Sequence, residues 1–121
     1  MLSEAVKREI AAAVAESPQP SGAAIDALRI VQHHYRWIDD AHLRETAALL
    51  DMSVDELDGI ATFYNQLFRR PVGRHVIQVC DSVMCWMLGQ QAILAQFDAL
   101  GLVPGQTSGN DRFTLLPVPC L

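Results

Sequence analysis

Basic side chains are scarce in this 121-residue chain: nine Lys and Arg stand against fourteen Asp and Glu, for a net charge of −5 and a pI near 5.1. Neutralising a phosphate backbone needs a basic face, so nucleic acid is excluded as the main partner. Long apolar runs are missing too. None reaches the length of a membrane-spanning helix, and direct membrane insertion is not expected. Glu4, Lys7, Arg8 and Glu9 occupy the stretch that a secretory signal would make apolar, so the chain reads as cytoplasmic. There is no internal repeat and no low-complexity segment. Cysteine is sparse, with three residues. In a reducing compartment three thiols favour metal binding or redox chemistry over a structural disulfide.

What is present is an ordinary globular balance, 50% hydrophobic and 19% charged. The length suits one domain, or one small domain with a helical extension, and suffices for a core without disulfide staples. All the acids except Asp81, Asp98 and Asp111 precede Pro71, and the simplest account of them is a solvated face.

Residues 1–70 have helical periodicity. Val6, Ile10, Ala13 and Val14 share one face of a first helix, which Pro18 and Pro20 end. Ser21 is placed to cap a second, with Ala24, Leu28, Val31 and Tyr35 inward. Asp39 or Asp40 caps a third, with Leu43, Ala47 and Leu50 on its face. Ser53-Val54-Asp55-Glu56 is a capping box opening a fourth, with Val54, Leu57, Ala61 and Tyr64 on one side. A helical bundle is expected. Pro71-Val72-Gly73 then breaks the pattern. Arg74–Cys80 is rich in β-branched residues and reads as a strand. Residues Cys85–Leu100 read as a helix with Trp86, Ile93, Phe97 and Leu100 on one face, stopped by Gly101. Thr107–Asn110 is a polar turn, and Arg112–Leu116 a second strand. The expected class is therefore α+β: a bundle over 1–70, then a strand–helix–strand unit over 71–121 that matches the front half of a thioredoxin-like α/β domain.

The chemistry lies in the thiols. Cys80 closes the first strand, Cys85 opens the following helix, and Cys120 follows the second strand. Such a set suits a soft metal or an iron–sulfur cluster, which usually takes four ligands. The positive end of a helix favours thiolate at Cys85. Other readings remain open from spacing alone. Cys80 and Cys85 fit a pair of small buried hydrophobes, and zinc also accepts a four-residue gap. Plant-type ferredoxin spacing is excluded, because it needs cysteine where Leu88 stands. A thioredoxin redox pair needs a gap of two. Asp81 either places charge beside the site or caps the next helix, the cap being favoured. His33 and His34 are adjacent and point apart on a helix, so they read as surface; His42 and His75 have no partner at helical ligand spacing. Trp86 and Met87 fit helix core or a shield for the site. Arg69-Arg70 fits a solvated pair, and less well a docking site. No catalytic residues are expected.

These residues also resemble a known family. Cys80-x4-Cys85 and Leu115-Leu116-Pro117-Val118-Pro119-Cys120-Leu121 resemble the thioredoxin-like [2Fe–2S] subunit of bacterial complex I, the NADH:quinone oxidoreductase. So do Gly59-Ile60-Ala61-Thr62-Phe63-Tyr64, Pro71-Val72-Gly73-Arg74-His75, Cys80-Asp81-Ser82-Val83 and Pro104-Gly105-Gln106-Thr107. The resemblance implies an electron-transfer subunit in which Cys80, Cys85 and Cys120 are three of the four ligands of a [2Fe–2S] cluster. In the family a Leu-Gly-x-Cys sequence supplies the fourth, and the position of that cysteine lies beyond Leu121. The remaining strands and last helix of the domain are expected there too. The resemblance also implies docking on a flavin- and NADH-binding subunit that holds the FMN and NADH, and assembly with other complex I subunits. The implied location is peripheral, on the cytoplasmic face of the inner membrane. The equivalent subunit of an NAD-linked formate dehydrogenase or hydrogenase shares these motifs. From a different class, a non-enzymatic zinc-binding interaction module shares the thiol spacing.

Overall fold

The structure, a computed structural model, describes residues 1–119. Mixed helices and one small sheet make the class α+β. The chain divides into two compact units, Met1–Pro71 and a second from Val72 onward.

The first unit holds helices α1 (Glu4–Ala15), α2 (Ala24–Tyr35), α3 (Asp40–Leu49) and α4 (Val54–Phe63), with a 3-10 turn at Pro20–Ala23. Local chemistry sets three of the four starts. The Ser3 hydroxyl accepts from the Val6 amide, Asp39 Oδ1 accepts from the His42 amide at 2.7 Å, and Ser53 and Glu56 form the reciprocal capping box. The start of α2 differs from expectation. Pro20 opens the 3-10 turn one residue before Ser21, so Ser21 is already inside it and its carbonyl receives the Ala24 amide. Ala23 takes the cap position with no side-chain bond.

The inward faces meet in one apolar core. Ile10, Leu28, Ile38, Leu43, Leu50 and Leu57 are all fully buried. Each contributes about 1.5–3 kcal/mol of transfer free energy. The face expected for α4 holds at Leu57 and Ala61 but not at its ends, since Val54 and Tyr64 are exposed. Tyr64 is past the last helical residue, with an extended backbone (φ −90°, ψ 127°) that takes it out of the helical series.

Arg69 is not a free surface cation. Its Nε–H donates to Asp58 Oδ1 at 2.7 Å and its Nη2–H to Asp40 Oδ1 at 2.7 Å, while Nη1–H donates to the Ile38 carbonyl. This one guanidinium ties together the start of α3, the middle of α4 and the α2–α3 connection.

The second unit holds β1 (His75–Cys80), α5 (Val83–Met87), α6 (Gln90–Ala99) and β2 (Phe113–Val118). The strands pair in parallel, with His75 opposite Phe113 and Cys80 opposite Val118. A parallel pair needs a crossover, and α5 and α6 lie in it. Gly73 approaches the β2 side so closely that a Cβ there would sit 2.9 Å from backbone atoms of Arg112 and Phe113. Leu115 is fully buried, and Val118, Val72 and Leu102 are nearly so.

Two expectations fail in this unit. The single helix from Cys85 to Leu100 is two helices, broken at Gly89, whose φ of +111° disfavours any residue with a Cβ. The face assigned to it is not core: Trp86 is 56% exposed, Ile93 51% and Leu100 81%. Gly101 does end α6, with φ +79°. The second strand runs two residues further than expected, through Pro117 to Val118.

Candidate functional site

Cys80 is the last residue of β1, and the turn after it is pinned to the neighbouring strand. The Asp81 amide donates to the Val118 carbonyl at 2.8 Å, continuing the ladder one residue past the strand. Ser82 follows in an extended conformation (φ −66°, ψ 160°) and takes the cap position of α5. Its carbonyl receives the Trp86 amide at 2.9 Å. Cys85 is the third residue of α5, on its first turn.

This path brings two of the three expected thiols together. Cys80 and Cys85 line the same cleft. Hydrogen bonding from the side chain and backbone of Ser82, and from the Cys85 side chain, holds the Cys80 thiol below its ordinary pKa, Ser82 contributing most. Partial burial and the negative charge of Asp81 push the other way and are outweighed. Neither cysteine is in a disulfide among the described residues, and both are partly exposed. The thiols open onto a cleft of about 440 Å³ whose walls include Ile77, Val79, Leu88 and Phe97.

The donor chemistry fits a thiophilic centre. Two sulfurs face one another at the edge of an apolar cleft, and one is biased towards thiolate, the form that binds metal. Two inert, fully buried thiols would show neither the exposure nor the bias. Cys120, expected as a third ligand, lies outside the described residues. Among the described residues no group of three or more His, Cys, Asp or Glu side chains converges to hold a metal ion.

The other candidates separate clearly. Asp81 does not cap α5; Ser82 has that position, and Asp81 is exposed with its charge felt at Cys80. Trp86 and Met87 are 56% and 68% exposed and form no core. His33 and His34 are exposed, and His34 Nε2 sits 2.9 Å from Glu9 Oε1. His42 is buried, with its ring stacked on Tyr35 at 4.1 Å. Its Nδ1 lies 3.2 Å from Asp39 Oδ1, an ion-pair distance without hydrogen-bond alignment. His75 opens β1 beside the Phe113 ring. Ser82 is the residue that sequence reasoning missed. Its signal was its place just before a helix, a place that Asp81 is equally suited to take.

Known proteins share this arrangement of sequence. The model of the thioredoxin-like [2Fe–2S] ferredoxin family matches residues 10–121. The chain is 40% identical over 122 residues to an NADH-quinone oxidoreductase subunit of Pseudomonas aeruginosa; the match takes in 100% of this chain and 74% of that protein. It is 48% identical over 103 residues to the protein of the same name from Escherichia coli strain K12, taking in 84% of this chain and 62% of that protein. The corresponding protein of Buchnera aphidicola subsp. Acyrthosiphon pisum is 44% identical over 99 residues, with 81% and 61% covered. The chain thus spans between about three-fifths and three-quarters of the length of these relatives.

Proposed function

The chain belongs to the thioredoxin-like [2Fe–2S] ferredoxin family, and on that premise we propose that it is an electron-transfer subunit of an NADH:quinone oxidoreductase. Residues 1–70 act as a helical bundle and residues 71–121 as the thioredoxin-like cluster domain. Cys80, Cys85 and Cys120 hold a [2Fe–2S] cluster. The partner is the flavin- and NADH-binding subunit of the same complex, where the hydride chemistry takes place. The assembly is peripheral, on the cytoplasmic side of the membrane. No helix among the described residues is long and apolar enough to cross a membrane.

The observation that carries this reading is the pairing of the Cys80 and Cys85 thiols at the end of β1. When bound, a [2Fe–2S] cluster accepts and releases one electron at a time, at a potential set by the charge and hydrogen bonds around its sulfurs. This chain's residues supply that setting. Cys80 and Cys85 bind from the end of a strand and the first turn of a helix. The backbone bond from Asp81 to Val118 keeps the strand end in place. Hydrogen bonding from Ser82 favours negative charge at the Cys80 sulfur, and the cleft walls beside it are largely apolar.

The test uses full-length protein, isolated anaerobically with its partner subunits. Wild type is expected to be brown, with about two irons per chain, as a [2Fe–2S] cluster requires, and a paramagnetic signal on reduction. Cys85→Ser is expected to lose most of its iron. A colourless, zinc-loaded wild type would overturn the proposal, as would a Cys85→Ser protein with unchanged iron and spectrum.

A further inference from the structure

Helix α5 is five residues long and α6 ten, and only Leu88 and Gly89 lie between them. The apolar pattern of the sequence runs through this junction without a pause, so one helix from Val83 to Ala99 is the local preference. The chain breaks it at one residue. Gly89 has φ +111° and ψ 21°, a backbone that residues with a Cβ rarely adopt. Among the described residues nothing crowds it: a Cβ at position 89 would meet no atom within 4 Å. Glycine there serves the path of the chain rather than a close approach. Both sides of the bend are held. Before it, the Asp81 amide donates to the Val118 carbonyl at 2.8 Å and the Trp86 amide to the Ser82 carbonyl at 2.9 Å, which fixes where α5 starts. After it, the Ala92 amide donates to the Gly89 carbonyl at 3.0 Å and Gln90 is buried, which fixes where α6 starts. Gly89 also lines the cleft that Cys80 and Cys85 share.

We propose that Gly89 is a positioning residue for Cys85: its positive-φ bend takes α5 out of the line of α6 and so keeps Cys85 on the same cleft as Cys80. The inference rests on the reading of the thiol pair as cluster ligands. Its physical basis is the cost of the bend to any other residue. Alanine is the strongest helix former and disfavours positive φ. At position 89 it favours a single helix directed by the longer α6, which carries Cys85 away from the end of β1. Cluster-free protein is at liberty to relax into that form. Cluster-loaded protein has to keep the bend, and the strain shows as weaker retention of the cluster.

The experiment is a chelator titration of full-length, cluster-loaded protein isolated anaerobically with its partner subunits. The paramagnetic spectrum of the reduced state is recorded alongside. Gly89→Ala is expected to reach half-loss of iron at about tenfold less chelator than wild type, with a shifted spectrum. Gly89→Asn is expected to fall between the two, because asparagine tolerates left-handed backbone better than alanine does. Gly101→Ala is the control. Gly101 also has positive φ, +79°, with open space at its Cβ position, but it follows α6 and is not among the cleft residues. Gly101→Ala should lower the melting temperature about as much as Gly89→Ala and keep wild-type iron retention and spectrum. Iron-loaded Gly89→Ala with wild-type retention and spectrum overturns this inference and leaves the thiol reading standing. Equal iron loss in Gly101→Ala also overturns it, since general destabilisation is then the cause. If Gly89→Ala gives no folded protein, Gly89→Asn decides alone, and wild-type retention there overturns the inference. A wild type that holds no iron overturns both.

Discussion

The unit Met1–Pro71 and the unit from Val72 onward have similar apolar patterning in sequence but treat it differently in space. In the first, the apolar faces of α1 to α4 close on one another, and side chains from Leu2 to Leu67 join one buried cluster. In the second, the buried apolar side chains among the described residues are Val72, Leu102, Leu115 and Val118, and the one buried residue of α6 is the polar Gln90. The helices α5 and α6 leave Val83, Met84, Trp86, Met87, Leu88 and Ile93 half exposed or more. Exposed large apolar side chains in the first unit include the Phe63–Tyr64 pair, just where α4 ends. The contrast teaches that apolar periodicity reports a helix's potential to bury a face. Whether the face is buried depends on what the fold sets against it. The first unit satisfies its own surfaces, whereas the second arranges two thiols at the edge of a cleft whose walls stay partly open.

The strongest way to break this comparison is to cut into the closed core. Leu57 is fully buried in α4. Leu57→Ala removes transfer free energy and leaves a cavity, and it should cost about 2–5 kcal/mol. The same truncation in the other unit, Ile93→Ala at a half-exposed site, should cost less than about 1 kcal/mol by comparison. Urea unfolding of the two variants decides. Equal losses would mean that α6 is as well covered in solution as α4.

A smaller effect is expected where polar groups lock the first unit. Arg69→Met keeps much of the stem but leaves the Ile38 carbonyl, Asp40 and Asp58 without their donor. A loss of about 1–3 kcal/mol at neutral pH is expected. The pH dependence gives a second reading. Hydrogen bonding and charge from Arg69 hold the Asp40 carboxyl below its ordinary value of 3.8. A carboxyl depressed in the folded state stabilises above its unfolded pKa, and that contribution is lost as pH falls through the folded pKa. The wild type should therefore lose stability more steeply than Arg69→Met below about pH 4. Parallel acid limbs in urea titrations of the two proteins would show that Arg69 does not set the Asp40 carboxyl.

What was legible in the sequence was local. The Ser53–Glu56 box, and the cap at Asp39 that the sequence narrowed to Asp39 or Asp40, each link residues three positions apart, and their chemistry is complete within that span. The Cys80–Cys85 spacing was legible for the same reason. Features that depend on distant partners were not. Arg69 finds Ile38 across 31 positions and Asp40 across 29, so beside Arg70 it looked like one of a solvated pair. His42 is buried by stacking on Tyr35, which no ligand spacing reveals. The break at Gly89 was masked because glycine inside a helical pattern costs only about 1 kcal/mol, and the apolar period runs on through Leu88 to Ile93. At Asp81-Ser82 both residues are good caps, and only the backbone bond from Asp81 to Val118 decides which one takes the position.

The smallest expected effect is the sharpest test of the open unit. Leu88 is 83% exposed although it is a large apolar residue on the cleft rim. Its structural work is done by the backbone, whose amide donates to the Met84 carbonyl at 3.0 Å. Leu88→Gln keeps that bond, and glutamine has nearly the same helix propensity as leucine. A polar side chain at a solvated site removes no buried area, so the stability change should stay within about 0.5 kcal/mol. The measurement is urea unfolding at low protein concentration, repeated at tenfold higher concentration. A cost above about 1.5 kcal/mol would place Leu88 in the range of a buried aliphatic side chain. If that cost grew with concentration, a second copy of the chain would be covering α5. If it did not, the cover would come from within the chain, and the two units would differ less than their exposures indicate.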